Sequence, residues 1–311
     1  MGPVATLPPY VLVTPARNEA RLIEGTIQAV VAQTVRPLCW KIVSDGSTDG
    51  TDEIVNRYAA QYPWIELLRM PERKERHFGG KATAIAAAVS QMKALPYEAI
   101  ASLDADITFD SEYMAYLLRC LNTDPRLGVV GTPYRDETDE VYDYRFVSPS
   151  HVSGACQMFR RACFEEIGGY VPSKGGCIDT IATLTARTKG WKTRTFTEKI
   201  SLHHRVIGTA ENSPIKSRFV LGKRDYAIGN HPLWEVCRGL YQMTRRPYLV
   251  RGGAVLAGFF WAAVRRIERP VSPELRAFRR QEQMEFLKKF LSGKTGDGDP
   301  SSAPQSTQTA G

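Results

Sequence analysis

The sequence has no pair of cysteines at a metal-binding or redox spacing. Its six cysteines are scattered along the chain without a C-x-x-C pair: Cys39, Cys120, Cys156, Cys163, Cys177 and Cys237. This spacing excludes a zinc knuckle and gives no sign of a disulfide framework. We therefore expect reduced thiols and a cytoplasmic location.

The sequence also has no confident membrane-spanning run. A bilayer span takes roughly 20 apolar residues, whereas the run from Gly252 to Val264 is shorter and is bracketed by Arg251 and Arg265. The first residues show no basic segment followed by an apolar one, so we expect no signal peptide. Two interpretations of the run stay open: an interfacial segment in peripheral contact with an anionic membrane, or a helix packed on the rest of the protein.

Basic residues outnumber acidic residues only moderately in this sequence. The 41 basic residues exceed the 33 acidic ones, which gives a formal charge of +8 and suits phosphate-bearing ligands, anionic lipid or nucleic acid. The basic residues are not interleaved with aromatic residues in a recognisable motif, so we expect no nucleic-acid partner.

Short apolar runs alternate with longer helical stretches in the first part of the chain. The predicted strands are 10–14, 38–44, 64–70 and 98–103, and the predicted helices are 19–34, 48–61, 79–95 and 110–121. This alternation predicts an α/β fold with a mixed, mainly parallel sheet flanked by helices. We expect one domain over 1–231, a basic amphipathic helical extension over 232–291, and a disordered tail over 292–311.

Polar residues follow three of the predicted strands. They are Pro15 to Glu19, Asp45 with Gly46, and Asp104 to Asp106. Ligands bind outside the carboxyl ends of strands in an open parallel sheet, so these segments should open on one crevice. Turn formation and helix capping are alternative explanations for the acidic residues.

Asp104 and Asp106 are separated by a single residue. In an extended backbone their side chains would point the same way and could hold Mg²⁺ or Mn²⁺. Gly79-Gly80-Lys81 opens a predicted helix, where amides and an ammonium could meet phosphate. This segment is not a P-loop, because Ala82 stands where Ser or Thr is required.

Taken together, these motifs resemble glycosyltransferase family 2, whose members are inverting enzymes of the GT-A fold. The matching segments, in the family's order, are 14–20, 44–51, 80–82, 103–106, 154–155 with 159–160, 168–170, and Asp179. The resemblance implies a GT-A-like fold and transfer of a sugar from a nucleotide-sugar, of the UDP or GDP type, to a saccharide or lipid-linked acceptor.

The resemblance also implies roles for particular residues. Nucleotide-sugar binding falls to Pro15, Ala16, Arg17, Glu19, Asp45, Lys81, Asp104 and Ala105. Asp104 and Asp106 would hold the metal, either His203 or His204 could add a ligand, and Gly154 with Ala155 would border the acceptor.

Asp179 is the implied general base, which an inverting displacement needs in order to take the acceptor proton. Many relatives carry two adjacent acidic residues here, whereas this sequence has Ile178 before Asp179. Helix capping is the alternative role for Asp179.

Two other functions fit parts of the pattern. A sugar-phosphate nucleotidyltransferase would also use paired aspartates, but its glycine-rich basic signature is missing. A non-catalytic nucleotide-sugar binding module would not need all four of Asp45, Asp104, Asp106 and Asp179. The Gln-x-x-Arg-Trp motif of processive synthases is absent, so we expect one sugar to be added per encounter on the cytoplasmic side of a membrane.

Overall fold

The fold is taken from a computed structural model. It describes residues 6–71, 79–136, 148–173, 176–205 and 214–292. The predicted disordered tail lies outside the described residues from 293 onward.

Ten strands occur in the described residues. They are β1 (Tyr10–Ala16), β2 (Trp40–Ser44), β3 (Ile65–Arg69), β4 (Ala99–Leu103), β5 (Ile107–Thr108), β6 (Leu127–Gly131), β7 (Tyr134–Asp136), β8 (Cys156–Arg160), β9 (Lys192–Thr195) and β10 (Ser201–His203).

Ten helices occur in the same residues. They are α1 (Ile23–Val31), α2 (Thr51–Ala59), α3 (Gly79–Met92), α4 (Tyr113–Asn122), α5 (Arg161–Glu166), α6 (Ile178–Thr188), α7 (Pro214–Ala227), α8 (Pro232–Met243), α9 (Val250–Val264) and α10 (Pro273–Leu291).

Seven strands form the main sheet in the order β3-β2-β1-β4-β8-β6-β9. All neighbours are parallel except β8, which runs antiparallel to both β4 and β6. This confirms the predicted mixed, mainly parallel sheet. Every residue of β2, β4 and β6 is buried, as expected for strands that are covered by helices on both faces.

A second, three-stranded sheet has the order β5-β10-β7. Its central strand, β10, pairs antiparallel with β5 and parallel with β7. Because β5 follows β4 after a short turn, this small sheet lies beside the carboxyl edge of the main sheet. It brings residues from three distant parts of the chain to that edge.

The helical region begins with α7, before the predicted boundary at residue 232. Helix α9 packs against α7 and α8 through glycines. A Cβ on Gly222 of α7 would lie 1.9 Å from the Val255 carbonyl oxygen, and one on Gly258 would lie 2.0 Å from the Phe219 carbonyl oxygen. The two helix backbones are therefore in direct contact, which only glycine permits at these positions.

Adjacent glycines of α9 provide a matched test of this packing. A Cβ on Gly252 would lie 2.0 Å from the Gly239 carbonyl oxygen, whereas one on Gly253 would meet nothing closer than 3.8 Å. We expect Gly252→Ala to destabilise the protein by roughly 1–3 kcal/mol through overpacking. Gly253→Ala should stabilise it by up to about 1 kcal/mol, because alanine favours helix. Urea denaturation of both variants measures the difference, and equal midpoints would contradict this packing.

Candidate functional site

The loops after β1 and β2 are joined by hydrogen bonds. The Thr48 amide donates to the Asn18 side-chain oxygen at 2.9 Å, and the Glu19 amide donates to Thr51 Oγ1 at 2.9 Å. Pro15, Ala16, Arg17 and Asp45, predicted to border the nucleotide, lie in or beside these loops. The Asp45 amide donates to the Ala16 carbonyl at 2.9 Å. The first two of the three predicted polar strand ends thus lie together at one edge of the sheet.

A cluster of potential metal ligands lies after β4. One ligand atom from each of Asp104, Asp106 and His203 falls within 4.8 Å of the other two. The expectation of extended backbone between the two aspartates is wrong, since residues 105–106 form a turn. The carboxylates nevertheless converge, because the turn leads directly into β5. They do not cap α4, which begins only at Tyr113.

The small sheet places only one of the two adjacent histidines beside the aspartates. His203 pairs with Ile107 across β5 and β10, and its Nε2 lies 3.6 Å from Asp106 Oδ1. His204 faces away and its Nε2 is 2.7 Å from Thr108 Oγ1. His203 ends β10 and is the histidine whose ring nitrogen lies with the two aspartates.

The cluster suits a divalent cation electrostatically. Burial raises the pKa of Asp104, and the Asp106 carboxylate acts in the same direction, while Lys81 opposes both. Two carboxylates held this close repel each other, so a bound cation would relieve the repulsion. Two carboxylate oxygens and one imidazole nitrogen also form a donor set that suits Mn²⁺ or Mg²⁺.

Lys81 links the acidic cluster to a second loop. Its ammonium forms an ion pair with Asp104 and donates to the Gly154 carbonyl at 3.3 Å. Burial disfavours this ammonium, but the Asp104 and Asp179 carboxylates outweigh burial and raise its pKa. Lys81 therefore stays charged between the two groups of acidic residues.

Arg205 is held in the same crevice. Its guanidinium donates to both carboxylate oxygens of Glu19, at 2.6 and 3.3 Å, and its Nε lies 3.6 Å from Asp106 Oδ2. A guanidinium in this position connects the loop after β1 with the acidic cluster. Its planar fork also suits phosphate oxygens.

Asp179 lies in the first turn of α6, close enough for its charge to act on Lys81. The N-cap of this helix is Cys177, so Asp179 is not the capping residue. A Cβ on Gly154 would lie 3.0 Å from both Cβ and Oδ2 of Asp179. Gly154 and Asp179 therefore face each other across a gap with no room for a side chain at residue 154.

This contact predicts the effect of a single methyl group. We expect Gly154→Ala to displace the Asp179 carboxylate by a fraction of an ångström and to lower kcat, by less than the roughly 100-fold that a misplacement of about 1 Å can cost. Donor affinity should fall less than kcat, because the added methyl group meets Asp179 and not the acidic cluster. Gly253→Ala, where the added Cβ has room, is the control. A Gly154→Ala enzyme with unchanged kcat would contradict the proposed position of the base.

Two side chains near the site gave no usable sequence signal. Burial lowers the pKa of His151 to about 4, although the nearby Asp179 carboxylate acts to raise it. The Tyr134 ring lies 5.9 Å from the His203 ring, and burial raises the Tyr134 pKa to about 12. A lone histidine and a lone tyrosine carry no motif, so only the fold reveals that they border the site.

Known protein families and solved structures resemble this chain in sequence over its first half and in fold over most of its length. The model of "Glycosyl transferase family 2" matches residues 11–168. A mannosyltransferase from Pyrobaculum calidifontis, solved with GDP-Man and Mn²⁺, superposes with a TM-score of 0.58 at 18% identity and covers 94% of this chain and 89% of that one. Staphylococcus aureus TarS, solved with UDP-GlcNAc, has a TM-score of 0.52 at 13% identity over 90% of this chain and 81% of that one.

Two curated relatives match over little more than a third of this chain. Poly-β-1,6-N-acetyl-D-glucosamine synthase of S. aureus is 30% identical over 117 residues, which is 37% of this chain and 26% of that protein. Chondroitin synthase of Pasteurella multocida is 32% identical over 122 residues, 39% of this chain and 12% of that protein. The chain thus spans about a quarter or less of the length of these two relatives.

Proposed function

Because the chain belongs to glycosyl transferase family 2, we propose that it moves a sugar from a nucleotide-sugar donor to an acceptor hydroxyl by a single inverting displacement. The observation that carries this proposal is the position of Lys81, whose ammonium contacts both Asp104 and the Gly154 loop that abuts Asp179. Lys81 would therefore link the donor-side acidic cluster to the loop beside the acceptor-side carboxylate.

Asp179 is proposed as the general base. The acceptor oxygen attacks the anomeric carbon, the bond from that carbon to the diphosphate oxygen breaks, and the acceptor proton passes to the Asp179 carboxylate. Gly154 and Ala155 border the acceptor in this scheme. Ile178 stands where many relatives have a second acidic residue, so Asp179 is proposed to act as the base without that neighbour. Its carboxylate lies close to Gly154.

Asp104, Asp106 and His203 are proposed to hold Mg²⁺ or Mn²⁺. When bound, the cation would neutralise charge on the departing diphosphate. Arg205 and Lys81 are positioned to bind phosphate oxygens at the same crevice. Pro15, Ala16, Arg17, Glu19 and Asp45 are proposed to border the nucleotide, and Ala105 lies in the turn between the two metal-binding aspartates.

The donor is proposed to be a UDP- or GDP-sugar, and the acceptor a saccharide or a lipid-linked saccharide. The two structural neighbours, one solved with GDP-Man and one with UDP-GlcNAc, support a donor of either type. No nucleotidyl transfer is proposed, because the matched family is one of glycosyl transferases.

We propose a cytoplasmic location with peripheral contact to a membrane. Among the helices of the described part of the chain, none is long and apolar enough to cross a bilayer. The basic apolar segment of the helical region supports contact without insertion across the bilayer.

The test is a screen of nucleotide-sugars with Mn²⁺, read by thermal stabilisation and by release of the nucleoside diphosphate. We expect one donor to stabilise the protein in a metal-dependent way. Transfer of that sugar should give a product of inverted anomeric configuration, read by proton NMR. Retention of configuration would overturn the single displacement, and release of pyrophosphate from a nucleoside triphosphate would overturn glycosyl transfer itself.

A further inference from the structure

The outer face of α9 is apolar along its whole length. Its exposed residues recur on one side of the helix: Val250, Ala257, Phe260, Trp261 and Val264. Val264 is 82% exposed and Trp261 is 41% exposed. A helix on a protein surface normally presents charged or polar residues outward, and α9 has no charged residue between Gly252 and Val264.

The apolar surface continues beyond the helix. Tyr248 and Leu249, which precede α9, are 60% and 70% exposed. We call residues 248–250, 257, 260, 261 and 264 the α9 face. A contiguous apolar patch of this kind marks a site of protein or membrane contact.

The α9 face cannot turn inward. The opposite side of the helix is closed by the backbone contacts of Gly252 with α8 and of Gly258 with α7. Any rotation that buried Trp261 would have to break these contacts. The exposed face is therefore fixed by glycine packing and is not an alternative position of a core helix.

Positive charge surrounds the α9 face. Residues 245–269 contain six arginines and one acidic residue, Glu268. Arg265 lies over the Trp261 ring with its Cζ 5.8 Å from the centroid, and Lys223 Nζ lies 5.0 Å from the same centroid. Tryptophan and tyrosine flanked by basic residues are typical of the boundary between lipid headgroups and acyl chains.

We propose that the α9 face binds the surface of an anionic lipid bilayer. Trp261, Val264 and Leu249 would enter the boundary between headgroups and acyl chains, while Arg245, Arg246, Arg265 and Arg266 would face lipid phosphates. This assigns a surface to the proposed peripheral location and rests on that location, but it does not depend on sugar transfer.

Charge argues against other occupants. A two-fold contact between copies of this face would bring the arginines around one face close to those around the other, and this like-charge repulsion costs free energy. The residues after 292 are rich in Gly, Ser, Pro and Thr and nearly without large apolar side chains. They offer little that could cover Trp261 and Val264.

The packing connects this face to the acceptor side of the site. Helix α9 packs on α7, and Ile228, directly after α7, belongs to the same apolar cluster as Ile181 of α6. A lipid-bound α9 would thus hold α6, the helix that carries Asp179, one helix away from the bilayer. That arrangement suits an acceptor carried by a lipid.

The experiment is sedimentation of the full chain with vesicles of phosphatidylcholine alone or mixed with phosphatidylglycerol. Val264→Glu is compared with Leu291→Glu, because both native residues are 82% exposed and only Val264 belongs to the α9 face. We expect the unchanged protein and Leu291→Glu to bind the anionic vesicles alone. Val264→Glu should bind at least about tenfold more weakly, and each exposed arginine changed to Gln should cost about fivefold.

Equal binding to both vesicle types, no binding to either, or equal loss in the two glutamate variants would overturn the proposal. A dimer that Val264→Glu converts to monomer, with no vesicle binding by either form, would assign the face to a second copy instead. Metal-dependent donor binding, measured on the same samples, separates these failures from failure of the proposed transferase function.

Discussion

Asp179→Asn is expected to lower kcat by on the order of 10²–10⁴-fold, the usual contribution of a positioned general base. The amide has the same shape as the carboxylate but cannot accept the acceptor proton. Donor affinity and its metal dependence should stay near those of the unchanged protein, because Asp179 lies on the Gly154 side of Lys81 and outside the acidic cluster. Single-turnover transfer and calorimetric donor binding measure the two effects separately.

The matched control is Asp110→Asn. Asp110 is an exposed aspartate paired with Lys199 at 2.6 Å and lies outside the cluster of metal-binding candidates. We expect this variant to keep full activity. Normal turnover by Asp179→Asn would refute the base assignment, and an equal loss in both variants would point to unfolding.

Asp106→Asn is expected to act on the other half of the site. It removes one of two carboxylates that converge with His203, so Mn²⁺ affinity should fall by at least about 100-fold, more than the loss of an outer-sphere partner produces. Donor affinity should fall with it, and excess Mn²⁺ should restore part of the activity. Calorimetric Mn²⁺ titration and a metal-activation curve test this.

His204→Gln is the control for the metal site. Its ring is directed to Thr108 and not into the acidic cluster, so metal affinity should be preserved. His203→Gln should weaken it. Equal effects of the two changes on metal affinity would contradict the assignment of His203. The metal site would be refuted if Asp106→Asn, assayed in the presence of chelator, had the same activity as the unchanged protein assayed with Mn²⁺.

Strands β1, β2 and β4 could be predicted because their buried sequences are nearly continuously apolar. Strand β9 was not predicted, because its sequence, KTRT, alternates exposed and buried residues and has no apolar run. Helix starts were predicted less well, and α1 shows why. The sequence pattern begins at Glu19, but residues 20–22 form a turn, at whose start the Glu19 and Ala20 amides donate to the side chains of Thr51 and Asp49. The helix therefore begins only at Ile23.

The site could be predicted as a set of strand ends but not as a geometry. Nothing near Asp106 in the sequence indicates that His203, almost one hundred residues later, lies 3.6 Å away. That contact depends on the pairing of β10 with β5, which is a long-range property of the fold. The same holds for Arg205 and Glu19, whose ion pair joins the two ends of the catalytic region.

The reversed strand β8 has a consequence for how acceptor choice can vary. Because β8 runs antiparallel to β4, its first residues lie beside the last residues of β4, and the Asp104 amide donates to the Ala155 carbonyl at 2.9 Å. Lys81 adds a second connection from Asp104 to Gly154. The loop that would border the acceptor and the loop that would border the donor are thus bonded to each other and would shift together. A change of acceptor range made through residues 154–155 would disturb the donor side too, so a new acceptor is more readily accommodated through other parts of the chain.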